Sequence, residues 1–216
     1  MAKNKEEKTN VMRTLEQKKI PYTAFSYDPD GPIDGVSVAA ETGLDAASVF
    51  KTLVTKGASG AYYVFDIPVA ENLDLKKAAR AVGEKSIAML PQKELLPLTG
   101  YVHGGCSPVG MKKQFPTVFH ETVNELDLIA VSAGKIGHQV QVKPADLLAL
   151  LRAKAADVVV EGEFRSPERP TFANSGKSRQ KRQKEPPVPS LPGALWFVRN
   201  GECLPRVYAG FPFSYC

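Results

Sequence analysis

Lys51 is the first residue whose surroundings in the sequence suggest chemistry. It lies in Val-Phe-Lys-Thr-Leu-Val, where a strand would place apolar neighbours on both of its faces. Burial of an ammonium group is costly unless a carboxylate or an anionic ligand compensates for the lost water, so buried lysines are often functional. The pattern alone favours the simpler interpretation, an exposed lysine on a half-solvated or edge strand.

A second candidate is the loop Gly-Gly-Cys-Ser-Pro-Val-Gly at residues 104–110. Glycine permits a positive φ and lets backbone N–H groups approach a ligand, and Pro108 stiffens the turn behind them. Successive N–H groups that point at one position can hold a phosphate or a developing oxyanion. By itself the pattern is more typical of a tight turn, and it matches neither the Walker motif nor the dinucleotide fingerprint.

The third candidate is the segment Val-Ser-Ala-Gly-Lys-Ile-Gly-His at residues 131–138, which joins two predicted strands through small residues and Lys135. Taken alone, it predicts a hairpin turn. Asp146 follows Pro144 by two residues and would lie in the first turn of a helix. A carboxylate complements the helix dipole there, whatever its function.

The sequence gives no indication of a metal site, a cofactor or a catalytic triad. Its three cysteines are odd in number and lack metal-ligand spacing, and no base lies next to Cys106 in the sequence. The histidines also lack metal-ligand spacing and follow no serine-protease order; they are His103, His120 and His138.

Helices and strands that interleave irregularly must position these residues. Hydrophobic periodicity and capping residues predict helices over residues 10–19, 36–42, 72–83, 91–96 and 144–156. Strands are predicted over residues 22–27, 61–69, 86–89, 128–134 and 138–142, and one more ends the stretch 47–56 and forms a hairpin with 61–69. The order indicates a mixed α/β domain with hairpins, not a regular βαβ array.

Charge and composition divide the chain at about Glu163. Residues 1–163 contain 19 Lys and Arg against 20 Asp and Glu, whereas residues 164–216 contain 9 against 3. The second segment is also rich in proline and poor in aliphatic residues until Leu191. We therefore expect one folded domain over residues 1–163 and a basic, disordered tail over 164–216.

The remaining composition excludes some classes of protein. No apolar run approaches the ~20 residues that a membrane-spanning helix needs, so no membrane association is expected. The N-terminal segment is charged and has no apolar core followed by a cleavage site. A cytoplasmic location is the resulting expectation.

Several motifs occur together in one order and spacing. These are Tyr27, VFKTL (49–53), IPVAENLDLKKAARAVG (67–83), TGYVHGGCSPVGMKKQFPT (99–117) and VSAGKIG (131–137), with Asp146 beyond them. Over about residues 9–160 the chain closely resembles the YbaK/EbsC family of aminoacyl-tRNA deacylases. This family is related to the editing domain inserted in bacterial prolyl-tRNA synthetases, and its characterised YbaK members hydrolyse cysteine wrongly esterified to proline tRNA.

The resemblance implies a fold and a set of roles. The fold would be α/β, with a mixed, largely antiparallel β-sheet or barrel core surrounded by helices, and no cofactor. Lys51 would be the catalytic lysine, and the substrate's own thiol would attack the ester. The remaining implied site residues bind substrate; they are Tyr27 and Asp146, Gly104, Gly105, Ser107, Pro108 and Gly110 on one wall, and Ser132, Gly134 and Lys135 on another.

Cys106 departs from the family pattern, because this position is usually aliphatic. A thiol in the pocket loop could be catalytic, but a small and weakly polar cysteine is a conservative replacement for an apolar residue. The second interpretation is favoured.

The function that the resemblance implies is trans-editing of Cys-tRNA(Pro), with tRNA and a prolyl-tRNA synthetase as partners. Two alternatives stay open. The substrate could be another misacylated tRNA, such as Ala-tRNA(Pro), because related editing domains differ in the small amino acid they accept. The chain could also be a tRNA- or synthetase-binding module without catalysis, although the retained Lys51 and the complete loop argue against that.

Overall fold

A computed structural model describes residues 8–31 and 34–161, together with the backbone of residues 196–199 and 202–205. The chain divides into two compact units, Met1–Glu168 and Arg169–Cys216. In the first unit the helices are α1 (Asn10–Gln17), α2 (Gly35–Thr42), α3 (Leu75–Val82), α4 (Gln92–Thr99) and α5 (Pro144–Leu151), with a 3-10 helix at Glu121–Glu125. Its strands are β1 (Tyr22–Ser26), β2 (Phe50–Gly57), β3 (Tyr62–Pro68), β4 (Ile87–Met89), β5 (Thr117–His120), β6 (Ile129–Ser132), β7 (His138–Val142) and β8 (Lys154–Ala156).

In the described part of the first unit the strands form two sheets. The larger has the order β4-β2-β3-β5-β8, in which β2 pairs antiparallel with β3 and β4, whereas β5 pairs parallel with β3 and β8. The smaller has the order β1-β7-β6 and is antiparallel throughout. A parallel bridge between Val49 and Ala130 joins the start of β2 to β6. This arrangement is the mixed, mainly antiparallel α/β fold that the resemblance implies.

Local sequence explains why the helices begin and end where they do. The Thr9 side chain accepts a hydrogen bond from the N–H of Met12 at the start of α1. At the start of α3 the Asp74 carboxylate accepts from the N–H groups of residues 76 and 77. Gly83 then ends α3 in the left-handed conformation, with φ of 76°. Both boundaries of α3 follow the standard capping preferences.

The two faces of the larger sheet bury different clusters. Phe50 and Val54 of β2 and Val64 of β3 pack with the smaller sheet and with α1 and α5. On the opposite face Phe65 and Ile67 of β3 pack with α3. The alternation of β2 and β3 therefore places Thr52 and Asp66 on the first face, among apolar residues between the sheets.

The predicted helix over residues 144–156 is wrong in its second half. The helix ends at Leu151, Arg152 adopts a left-handed conformation with φ of 53°, and residues 154–156 form β8 at the edge of the larger sheet. A residue with a side chain stands where glycine usually ends a helix, so the sequence carried no stop signal there.

The second unit contains two short strands, β9 (Trp196–Arg199) and β10 (Glu202–Pro205), which pair antiparallel. The sequence analysis predicted no strand there. The expectation of disorder for the rest of 164–216 lies outside the described residues. In the described part of the chain no helix is long and apolar enough to cross a bilayer.

Candidate active site

A cavity of about 500 Å³ opens beside the first half of β2. The start of α2, residues of α4, the loop at 103–106 and the facing strands β6 and β7 contribute to its wall. Its volume is in the range of small-molecule sites. Of the residues implied as functional, four line it: Tyr27, Lys51, Gly104 and Ser132.

Lys51 is the second residue of β2, and its ammonium group lies at the far end of β3, where it donates a hydrogen bond to the Val69 carbonyl at 3.0 Å. The side chain is half-buried. Burial lowers the pKa of Lys51, and the nearby carboxylate of Glu71 opposes that shift. An ammonium carries several donors, so the bond to Val69 leaves capacity for a ligand.

Tyr27 lies directly after β1 and is almost completely buried. Its backbone N–H donates to the Gly137 carbonyl at 3.0 Å, which fixes the residue to the turn between β6 and β7. Gly137 itself has a positive φ of 87°. The predicted turn therefore helps to hold one wall of the cavity in place.

The glycine loop uses part of its hydrogen-bonding capacity internally. The Gly105 N–H donates to the Val102 carbonyl at 3.1 Å, and the Val109 N–H donates to the Ser107 hydroxyl at 3.3 Å. A Cβ at Gly105 would lie 3.1 Å from the Ile136 backbone nitrogen, so the loop packs directly on the β6–β7 turn. Gly105 and Val109 therefore cannot offer their N–H groups to a ligand without giving up these bonds.

The other implied site residues do not line the cavity. Ser107 is fully buried, and Asp146 is half-exposed in the first turn of α5. Gly110 and Gly134 both have positive φ and pack against Tyr101. The residues that the structure does not bring to the cavity surface are Gly105, Ser107, Pro108, Gly110, Gly134, Lys135 and Asp146.

Sequence reasoning missed a buried polar pair below the cavity. Asp66 is completely buried and pairs across the β2–β3 ladder with Thr52, whose hydroxyl donates to its Oδ1 at 2.6 Å. Its Oδ2 has no hydrogen-bond partner. Burial raises the pKa of Asp66 to about 8, and the bond from Thr52 opposes the shift. The sequence feature that could have indicated this pair is the single acidic residue in the otherwise apolar strand Tyr-Val-Phe-Asp-Ile.

Gln139 of β7 was also missed. It lies opposite Ser132 in the β6–β7 ladder, lines the cavity and is 7% exposed. Its Oε1 is buried without a partner. Buried polar atoms in native proteins are nearly always paired, so an unpaired acceptor in a cavity wall calls for an explanation.

Cys106 lines the cavity but is a poor nucleophile. Burial, and to a smaller extent the nearby charge of Asp66, raises the pKa of its thiol to about 12. The reactive form of cysteine is the thiolate, which such a pKa makes scarce at neutral pH. Among the described residues no group of His, Cys, Asp or Glu could hold a metal ion.

Fold and cavity together define a class of protein, a mixed α/β domain with a small-ligand site between two sheets. Residues 33–150 match the aminoacyl-tRNA editing domain family. A curated protein of Enterococcus faecalis, "Putative Cys-tRNA(Pro)/Cys-tRNA(Cys) deacylase EbsC", is 43% identical over 163 residues, which cover 74% of this chain and 99% of that protein. The chain therefore belongs to the aminoacyl-tRNA editing domain family.

Solved structures agree with this assignment. One described as "a putative trans-editing enzyme for prolyl tRNA synthetase" superposes with a TM-score of 0.61 at 27% identity, covering 71% of this chain and 96% of that one. A crystal structure of a hypothetical protein superposes with a TM-score of 0.65 at 20% identity, covering 70% of this chain and 99% of that one. The second similarity concerns the fold alone.

Proposed function

We propose that this protein is a trans-editing hydrolase that removes cysteine from Cys-tRNA(Pro). As a member of the editing family it is an aminoacyl-tRNA deacylase, and the name of its E. faecalis relative supports cysteine as the amino acid. The observation that carries the proposal is a cavity of about 500 Å³ with a lysine ammonium in its wall and a cysteine whose burial disfavours the thiolate. Because tRNA is charged in the cytoplasm, the proposal also locates the protein there.

Lys51 is the residue to which we assign electrostatic stabilisation. Ester hydrolysis places negative charge on the carbonyl oxygen as the tetrahedral intermediate forms, and the terminal ribose of tRNA lies beside a phosphate. The half-buried Lys51 ammonium can offset either charge, and its effect is larger in a desolvated cavity than in water. Loop N–H groups that are not already bonded, such as that of Cys106, can add donors to the same oxygen.

The substrate supplies the nucleophile in this proposal. The cysteine thiol gives up its proton and its sulfur attacks the carbonyl carbon of the same aminoacyl group. A C–S bond forms, the C–O bond to the ribose breaks, and the ribose oxygen takes a proton. The product is a cyclic thioester that water then opens. A protein thiolate or a metal-bound water is not required for this sequence.

Binding of tRNA is expected to need a partner. Residues 1–163 carry 19 basic and 20 acidic side chains, so the editing domain has no charge surplus for the phosphate backbone. We therefore propose that a prolyl-tRNA synthetase presents the mischarged acceptor end. The structure named for prolyl-tRNA synthetase supports this choice.

The test follows release of the amino acid from proline tRNA charged with cysteine, alanine, serine or proline, and from cysteine tRNA charged with cysteine. We expect rapid release of cysteine and a much slower release of serine, which lacks the thiol. Lys51→Ala should reduce the rate by at least about tenfold, as expected for the loss of a charge-stabilising group. Lys56→Ala is the matched control, because Lys56 lies on the same strand but is exposed and packs over the Tyr62 ring.

Each alternative gives a different result. Preferential release of alanine would assign a different misacylated tRNA. Equal rates for serine and cysteine would exclude attack by the substrate thiol. Binding of tRNA without release of any amino acid would identify a non-catalytic binding module.

A further inference from the structure

Three oxygen atoms at or directly behind the cavity wall have hydrogen-bonding capacity that the protein itself does not use. Asp66 Oδ2 and Gln139 Oε1 are buried and have no partner. The Thr52 hydroxyl donates its hydrogen bond to Asp66, so the lone pairs of the Thr52 oxygen remain available to accept a hydrogen bond from a ligand. Thr52 and Gln139 line the cavity from facing sheets, and Asp66 lies directly behind Thr52.

These three oxygen atoms destabilise the protein while the cavity is empty, and they contribute favourably to binding when a ligand supplies hydrogen-bond donors. A buried polar atom without a partner has lost its hydrogen bonds to water and gained none in the protein, which destabilises the folded state. An ammonium group is the donor-rich partner that fits best, since it carries several N–H groups, no acceptor and a positive charge. Its charge would also favour the ionised form of a nearby carboxyl group.

The cavity wall carries groups suited to each of the two electrostatic requirements of an aminoacyl ester. Such an ester carries an α-ammonium group on one side of the carbonyl carbon and a developing oxyanion on the carbonyl oxygen. Lys51 is a cation in the wall and attracts the oxyanion but repels an ammonium. The oxygens of Thr52 and Gln139, together with the Asp66 carboxyl group once a cation favours its ionised form, provide the opposite polarity.

We propose that Thr52, Asp66 and Gln139 form a subsite for the α-ammonium group of the substrate, with Thr52 and Gln139 in direct contact and Asp66 acting through Thr52. This inference rests on the proposed function. The Thr52 hydroxyl, oriented by Asp66, and Gln139 Oε1 accept N–H bonds from the ligand, and the charge of Asp66 acts on the ammonium from behind. The enzyme would thereby distinguish an aminoacyl ester from an acyl ester without an amine.

The influence of Asp66 already extends to the cavity wall. Cys106 lines the cavity on the glycine loop, and the charge of Asp66 adds to the rise in the pKa of its thiol that burial mainly causes. The charged side chains in the cavity wall are Lys51 and Asp34, whose carboxylate accepts a hydrogen bond from the Ser37 N–H at the start of α2, and Asp66 lies behind the wall. Both carboxyl groups can attract a cation, and Asp66 is the one hydrogen-bonded to Thr52.

The test compares two esters of the same proline tRNA, one with cysteine and one with 3-mercaptopropanoate. The second ester keeps the thiol and lacks the amine, so it preserves substrate-assisted attack without adding bulk. We expect Asp66→Asn and Thr52→Val each to lower kcat/KM for the cysteine ester by about tenfold, the usual scale for a hydrogen bond to a charged group. Both variants should lower kcat/KM for the amine-free ester by a smaller factor, so the preference for the cysteine ester should fall.

Two further variants separate binding from stability. Gln139→Met removes an acceptor that has no partner in the protein, so it should lower kcat/KM for the cysteine ester without loss of stability. Thr52→Ser keeps the hydroxyl and should retain the parental preference. Thr55→Val is the matched control, since Thr55 lies buried on the same strand and bonds to the Tyr63 carbonyl away from the cavity.

The outcomes separate this inference from the proposed function. Equal losses on both esters, or no loss on either, would overturn the ammonium subsite and leave the deacylase assignment standing. A parental enzyme that hydrolyses neither ester would overturn both. A larger loss on the cysteine ester than on the amine-free ester in Asp66→Asn, Thr52→Val and Gln139→Met, with Thr55→Val unchanged, supports the subsite.

Discussion

At the scale of single residues, Asp66 makes the stability of the domain depend on pH. The folded protein keeps the Asp66 proton up to a pKa of about 8, whereas the unfolded chain releases it near the ordinary value of 3.8. Between these values the folded state binds more protons than the unfolded state. The free energy of unfolding therefore declines as the pH rises through this window.

Urea unfolding at about pH 5 and at about pH 9 tests this expectation. The parental domain should lose at least about 1 kcal/mol between the two conditions through this carboxyl group, and Asp66→Asn should remove that part of the loss. Taking the difference between parent and variant cancels His120, whose pKa is lowered mainly by burial and whose effect has the opposite sign. A parental decline that persists unchanged in Asp66→Asn would contradict the assignment.

The cavity residues also show what sequence can reveal at this scale. Lys51 was evident because a charge stood in an apolar strand, and the same signal was present at Asp66. The sequence does not reveal the hydrogen-bond partner of Asp66, because Thr52 lies 14 positions away and is brought next to Asp66 only by the register of β2 and β3. Gln139 gave no signal at all, since glutamine is unremarkable in a half-exposed strand.

At the scale of elements, the β6–β7 turn supports the glycine loop through Tyr101. The Tyr101 hydroxyl donates to the Val109 carbonyl at 2.6 Å. A Cβ on Gly134 would lie 2.7 Å from the Tyr101 ring and 3.0 Å from Val11, and the residue has φ of 83°. Gly134 thus has two independent reasons to be glycine.

Gly134→Ala and Gly43→Ala form a matched pair. Gly43 has φ of 71° but open space around its Cβ position, so alanine there should cost only the backbone strain of about 1–2 kcal/mol. Gly134→Ala should cost a further 1–3 kcal/mol or so, because the new methyl group overpacks Tyr101. Chemical denaturation of both variants measures the difference in the free energy of unfolding. Equal losses would show that the Tyr101 side chain moves aside without an energetic cost.

Local sequence patterns were sufficient to predict most helices and the β2–β3 hairpin, but not the strand β8 at the edge of the larger sheet. Gly83 ends α3 as predicted, whereas the helix begins after its N-cap Asp74 and not at residue 72. The end of α5 was placed too late because β8 is stabilised by parallel pairing with β5, a contact between residues more than 30 positions apart. Parallel pairing leaves no turn signature in the sequence.

At the scale of the whole molecule, basic charge is concentrated outside the matched region. The match to the E. faecalis relative covers nearly all of that protein but 74% of this chain. Residues 164–216 carry 9 basic and 3 acidic residues. We propose that residues 1–163 form the complete editing domain and that the basic segment is dispensable.

Truncation after Glu163 tests this division. We expect the shortened protein to keep the parental kcat/KM for Cys-tRNA(Pro) and the same dependence of tRNA affinity on salt. A basic segment that contacts phosphates would instead steepen the salt dependence, by nearly one unit of slope for each phosphate neutralised. A shallower slope after truncation would therefore show that the segment binds tRNA.

The Val49–Ala130 bridge has a mechanical consequence. Within the described residues this isolated β-bridge connects the backbones of the two sheets. The Ala130 N–H donates a hydrogen bond to the Ser48 carbonyl at 2.8 Å and supports the bridge. Each sheet is stiff because of its own hydrogen bonds, but the separation between them away from this bridge depends on side-chain packing. We therefore expect any change in the width of the cavity to come from side-chain repacking between the sheets and not from the breaking of either sheet.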